Sequence, residues 1–301
     1  MKQNFIEQEI KLGFLGAGKM GYGILLNIYK KTKNLNVKIY CHKKGVKKFW
    51  KCNDKIKVSK SISNVVHDAD ILCTCLSDSN ISMNIFMSNE FKKTLRKGTQ
   101  ILDFTTQSLE FSSQAGRYFK NLGCYYYDCP VIRGPNEAEK GQLVTLAGGI
   151  HENSMPWNIL KCFSEKIICL PSGCGTKYKL LNNYICMSFN AVVQTALQYS
   201  EALNIDRIQV ANMMSLGSHY IQTLPLMNEY IETKNSEILN FSIRNAKKDL
   251  SYFIQMMHNS TNRCDLEIPL AIHKVFNRRG INDFDTLPRL YFILLEEMSN
   301  G

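Results

Sequence analysis

The stretch Ile10-Lys11-Leu12-Gly13-Phe14-Leu15-Gly16-Ala17-Gly18-Lys19-Met20-Gly21 decides the fold. Its first half is a short apolar run, and Met20 to Tyr29 then carries apolar residues at helical spacing. That pattern predicts a strand, a tight glycine turn and a helix. Gly16 permits the turn, Gly18 lets the backbone come close to a pyrophosphate, and Gly21 lets helix and strand pack. The N-terminus of the helix then faces the phosphates. Gly16, Ala17, Gly18, Lys19, Met20 and Gly21 are thus the expected dinucleotide-binding turn. The alternative is a glycine-rich turn that serves only packing.

Further strands are expected at Val37 to Cys41, Ile71 to Leu76, Gln100 to Phe104, Cys124 to Cys129, Leu143 to Ala147 and Lys166 to Leu170. Helical stretches such as Ile81 to Lys93 and Leu109 to Leu122 alternate with them. The class is therefore α/β, with a doubly wound, mostly parallel Rossmann sheet. Ligands of such sheets lie beyond the carboxyl ends of the strands. This makes Leu76 and Ser77, Thr105 and Thr106, and the loop after Asp128 candidate site groups, although each taken singly is also ordinary turn chemistry. At the end of the second strand an NAD enzyme would place an acid for the ribose hydroxyls. Cys41 stands there instead, followed by His42 and Lys43. The missing carboxylate removes repulsion of a 2′-phosphate and the cations attract it, so NADP(H) is the preferred cofactor and NAD(H) the possible one.

After Gly173-Cys174-Gly175 comes one long helix, running to Leu203. Lys179, Asn182, Asn183 and Cys186 fall on a single face of it, and Asn190 and Gln194 extend the stripe. Such groups are costly to bury without polar partners, so this face is expected to line a wet cleft or a ligand; a solvated face is the alternative. Beyond Leu203 the strand signals stop, and Asp206 to Leu216, Phe241 to His258, Pro269 to Asn277 and Phe284 to Met298 all look helical. The expected domains are 1–172, the dinucleotide-binding sheet, and 173–301, an all-helical domain entered through the long helix.

The 301 residues allow two cores, and 45% hydrophobic with 21% charged residues describe an ordinary globular chain. No apolar run approaches the roughly 20 residues that cross a bilayer, and Met1 to Glu9 lacks the apolar core of a signal peptide, so a cytoplasmic protein without membrane contact is expected. The 11 cysteines show no Cys-x-x-Cys pair and read as reduced core residues. The six histidines are scattered without ligand spacing, so no metal site is expected. Much of the +11 charge sits between Lys43 and Lys60. Without aromatic interleaving that run reads as a solvated face or an attractor of a small anion rather than a nucleic-acid surface.

Gly13 to Gly21, Asp128-Cys129-Pro130-Val131, Gly175 to Lys179 with Asn182-Asn183, and Lys248-Asp249-Leu250 occur in that order. Together they resemble the β-hydroxyacid dehydrogenase family, which includes 3-hydroxyisobutyrate dehydrogenase, tartronate semialdehyde reductase and the glyoxylate, succinic semialdehyde and sulfolactaldehyde reductases. The resemblance implies reversible hydride transfer between NAD(P) and a hydroxyl-bearing carbon, in homodimers or homotetramers built around the long helix. It makes Lys179 the catalytic acid and base, with Asn183 beside it. That suits a lysine, which can protonate or stabilise the forming alkoxide and whose pKa of about 10.4 falls on burial. It places Asn182, Cys186, Phe241 and Asp249 at the substrate, Lys248 near the cofactor, and Thr106 at both. Where most members follow Asp-x-Pro-Val with Ser-Gly-Gly, this chain has Ile132-Arg133-Gly134. Ile132 cannot donate a hydrogen bond, whereas Arg133 can present a planar fork to an anion, as in the sulfolactaldehyde branch. The expected reaction is reduction of a short anionic aldehyde or keto acid, sulfolactaldehyde-like, with Arg133 and Gly134 at the acid group. A plain semialdehyde or glyoxylate reductase and a non-catalytic NADP-binding protein are the alternatives.

Overall fold

The computed structural model describes residues 9–40, 56–216, 223–235, 237–261, 265–278 and 280–299. Two compact units divide the chain, Met1–Lys179 and Leu180–Gly301. The division falls inside the long helix, whose first turn is hydrogen-bonded to the end of a strand in the N-terminal unit.

In the N-terminal unit, β1 (Ile10–Leu15), β2 (Leu35–Tyr40), β3 (Ile56–Ser59), β4 (Ile71–Thr74), β5 (Gln100–Asp103) and β6 (Tyr125–Asp128) form a parallel sheet in the order β3-β2-β1-β4-β5-β6. The order reverses between β1 and β4, which opens the crevice where such sheets take ligands. The helices are α1 (Lys19–Lys31), α2 (Ile62–Val66), α3 (Ser79–Phe86), α4 (Asn89–Thr94) and α5 (Leu109–Asn121). The helix expected over Ile81 to Lys93 is two, because the Ser88 hydroxyl accepts from Phe91 N–H at 3.2 Å and starts a new one. Each face of the sheet has its own apolar layer. Phe14, Ile24, Leu25, Ile28, Phe104 and Phe163 belong to one, and Leu15, Leu72, Phe86, Phe91 and Phe119 to the other. Burying each such side chain contributes about 1.5–3 kcal/mol.

Then come β7 (Val131–Ile132), α6 (Pro135–Lys140), β8 (Leu143–Gly148), α7 (Met155–Phe163) and β9 (Ser164–Leu170). The three strands make a second sheet, with β7 antiparallel to β8 and β8 parallel to β9. The last two strands expected from sequence thus stand apart from the main sheet.

The long helix, α8, runs Gly175–Ala202. The helical unit adds α9 (Arg207–Leu216), α10 (Thr223–Thr233), α11 (Ile243–His258), α12 (Glu267–Phe276) and α13 (Arg289–Ser299). Ser242 caps α11 by accepting from Asn245 N–H at 3.3 Å. Met187, Ala191, Ile243, Leu250, Phe276 and Leu290 pack together as one core. Phe284 to Pro288 do not join α13: Leu287 N–H donates to Phe241 carbonyl and Ile243 N–H to Asp285 carbonyl, both at 2.8 Å, pairing this segment with the start of α11. Among the described residues no helix is long and apolar enough to cross a membrane.

Candidate active site

At the crevice, Gly16 has φ +90°, and a Cβ there would come 2.3 Å from the Cys75 carbonyl oxygen. Only glycine makes this turn. Gly18 is different: it stands at the N-cap of α1, and among the described residues nothing lies within 4 Å of where a Cβ would be. The first turn of α1 carries no acid, and no side chain caps it. An open backbone surface at a positive helix end fits a pyrophosphate, as the motif requires. Leu76 flanks it, with a methyl 3.0 Å from the Gly16 Cβ position. Cys41, His42 and Lys43 lie outside the described residues.

A buried carboxylate sets the next two loops. Asp103, at the end of β5, accepts from Thr74 Oγ1 at 2.8 Å, Thr105 N–H at 3.0 Å, Gln107 Nε2 at 2.9 Å and Tyr126 Oη at 2.8 Å. Burial first, then the nearby Asp103 charge, holds the Tyr126 phenol well above its ordinary pKa, so it is a donor. Thr105 Oγ1 in turn accepts from Leu76 N–H at 2.9 Å. The β4 loop with Leu76 and Ser77 and the β5 loop with Thr105 and Thr106 are therefore locked together. Asp103 gives no signal in the sequence, because a strand-end aspartate is ordinary until its four donors are placed.

Lys179 ends the first unit and is 8% exposed. Arg133 and Gly134 follow β7. Arg133 has φ +82°, and its Nη1 donates to the Gln142 carbonyl at 2.5 Å and to Glu165. Its guanidinium is thus occupied by a carboxylate on β9, and Gly134 N–H donates to Glu137 Oε2 at 3.0 Å in the cap of α6.

The helical unit gathers a second group. Asn183 Nδ2 donates to Asp249 Oδ2 at 2.6 Å, both side chains being buried. Asn182 Nδ2 donates to Asn183 Oδ1 at 3.2 Å, and Lys248 Nζ stands 3.2 Å from Asp249 Oδ1. Four predicted residues thus form one chain of contacts. Phe241 stands outside that chain: its carbonyl accepts from Leu287 N–H, and its side chain packs against the apolar core of the unit. Cys186 is exposed. Farther along the stripe, Asn190 donates to the Cys186 carbonyl at 2.9 Å, whereas Gln194 is fully buried with neither amide atom hydrogen-bonded among the described residues.

A Rossmann sheet with an open glycine turn at its switch point defines the class of dinucleotide-binding proteins. The sequence profile of the NAD binding domain of 6-phosphogluconate dehydrogenase matches residues 11–170. A probable mitochondrial 3-hydroxyisobutyrate dehydrogenase of Dictyostelium discoideum is 27% identical over 220 residues, 72% of this chain and 68% of that one. Among solved structures, the 3-hydroxyisobutyrate dehydrogenase of Mycobacterium tuberculosis with L-serine superposes with a TM-score of 0.81 at 17% identity, covering 95% of this chain and 99% of the other. Psf3 in complex with NADP+ and 2-OPP gives 0.80 at 17%, over 94% and 99%. The chain belongs to the 3-hydroxyacid dehydrogenase family, whose members share this NAD-binding domain, and is an oxidoreductase of that family.

Proposed function

We propose that the protein interconverts a small carboxylate-bearing aldehyde and its 3-hydroxy acid, with NADP(H) preferred and Lys179 as the acid and base. The observation that carries this reading is a buried lysine on the first turns of α8, at the family position, in the same unit as the dinucleotide turn. The bound nicotinamide supplies or accepts the hydride. Lys179 gives its proton to the carbonyl oxygen during reduction and takes it from the hydroxyl during oxidation. A cation at that oxygen also favours the alkoxide character of the transition state. Thr106 and main-chain amides near it hold the substrate carboxylate. In the helical unit, Asn183, Asp249 and Lys248, linked to one another, stand at the family positions expected to meet substrate or cofactor.

The Arg133–Glu165 pair gives no ground to prefer a sulfonate over a carboxylate. A guanidinium already compensated by Glu165 offers a second anion less than a free one does, so the sulfolactaldehyde reading loses its distinctive support. The preference for NADP(H) rests on Cys41, His42 and Lys43 standing where an NAD enzyme has its acid. Exposed apolar residues along α8 support a homodimer as the working form.

The test measures NADPH and NADH oxidation with methylmalonic, succinic, tartronic and sulfolactic semialdehydes and glyoxylate. Lys179→Ala should lower kcat roughly 10²–10⁴-fold with the KM for NADPH unchanged. A parent that binds NADPH and turns over none of these aldehydes would refute the reading.

A further inference from the structure

β6 ends at Asp128, whose carboxylate reaches the start of α8. Oδ2 accepts from Thr176 N–H at 2.8 Å and Oδ1 from Gly173 N–H at 3.1 Å. The Thr176 hydroxyl donates to Ser112 Oγ on α5 at 3.2 Å. The fit leaves no slack: a Cβ on Gly175 would come 2.2 Å from the Asp128 carbonyl oxygen, and one on Gly148 would come 2.1 Å from Oδ1. Asp128 is 3% exposed. Burial pushes its carboxyl above the usual range, and the Thr176 and Gly173 amides pull it back. A buried carboxylate is costly to desolvate, and this one is spent on two main-chain donors at a helix end.

The first turns of α8 hold Lys177 and Lys179, and the first turn has no acid of its own. The partial positive charge at a helix N-terminus disfavours an ammonium within the first turns, and a carboxylate at that end offsets it. Asp128 supplies that charge from another strand, one helical turn before Lys179. We propose that Asp128 is the positioning residue for Lys179: it fixes the first turn of α8 and offsets the positive end of that helix, setting where the ammonium stands and how tightly it holds its proton. The inference rests on the reading of Lys179 as acid and base.

Three measurements test it. Asp128→Asn keeps the shape and removes the charge. In oxidation of 3-hydroxyisobutyrate with NADP, it should lower kcat roughly tenfold or more with the KM for NADP unchanged. It should also move the alkaline-rising limb of the rate about one pH unit lower. Asp128→Glu keeps the charge with the wrong reach, and should lose rate while the limb stays in place. An asparagine variant with the parent's kcat and limb overturns the proposal. The third measurement needs neither turnover nor a folded variant. In the unmodified chain, the Thr176 amide proton and the 13C-labelled Cε of Lys179 should report one shared ionisation on acid titration. A Lys179 signal blind to that ionisation overturns the proposal even where loss of the Lys179→Ala effect, or an inactive parent, has already refuted the functional reading.

Discussion

Arg133 holds a left-handed backbone at φ +82°, within Ile132-Arg133-Gly134. A side chain there strains the backbone, and the pair it makes with Glu165 is solvent-exposed and worth little. Arg133→Gly should therefore unfold in urea at or above the parent's midpoint, while Arg133→Ala, which keeps the strain and loses the pair, should fall below it. If Arg133 instead clamps substrate, both variants raise KM for the acid, and Glu165→Ala does not. Gln194 presents the opposite situation, a fully buried amide with no hydrogen-bonded atom among the described residues. An unsatisfied buried amide costs about 1–3 kcal/mol, so Gln194→Met, similar in volume and apolar, should raise stability by about 1 kcal/mol or more in equilibrium denaturation. A drop would mean the amide has a partner that only the working assembly supplies.

Elements held by local rules were legible, and elements held by distant partners were not. The glycine turn, the buried strands and α5, which Ser108 caps by accepting from Phe111 N–H at 3.2 Å, all follow from residues adjacent in sequence. β7 is two residues long, and β3 is an edge strand of four, so neither has room for a pattern. The pairing of Phe284 to Pro288 with the start of α11 is a contact some forty residues away that periodicity cannot register. In the candidate site, the motif residues were legible, while Asp103 and the link from Asn183 to Asp249 needed neighbours in space. The packing of α11 on α12 has its own test. His273 stands 3.0 Å from Ser251 Oγ, and burial, then Lys247, keeps its ring below the ordinary pKa. The unfolded chain then binds the proton more readily than the fold. Stability is full above the unfolded value of about 6.5 and falls as pH drops through the window down to the depressed folded value. The urea midpoint should decline from pH 7 to pH 5 more steeply in the parent than in His273→Gln; equal slopes would remove His273 from the account.

At the scale of the whole molecule, α8 carries two different faces. Lys179, Asn183, Asn190 and Gln194 are buried on one. Leu181, Ile185, Phe189, Val192 and Tyr199 are exposed, and at 100° per residue they fall within about 80° of the helix circumference on the other side. An apolar stripe repeating at three- and four-residue steps over most of a helix about 42 Å long is the geometry of a helix that packs against another helix. Left in water, these side chains make a contiguous patch of the kind that monomers avoid. The +11 charge of the chain works against close self-approach, so an association that forms must draw its free energy from this stripe rather than from electrostatics. Sedimentation equilibrium should then give a dimer that neither moderate nor high salt dissociates. Ile185→Glu with Phe189→Glu should give a folded monomer, because both positions are exposed within a single chain and their replacement disturbs no core. A double variant that remains dimeric would place the self-association elsewhere on the molecule.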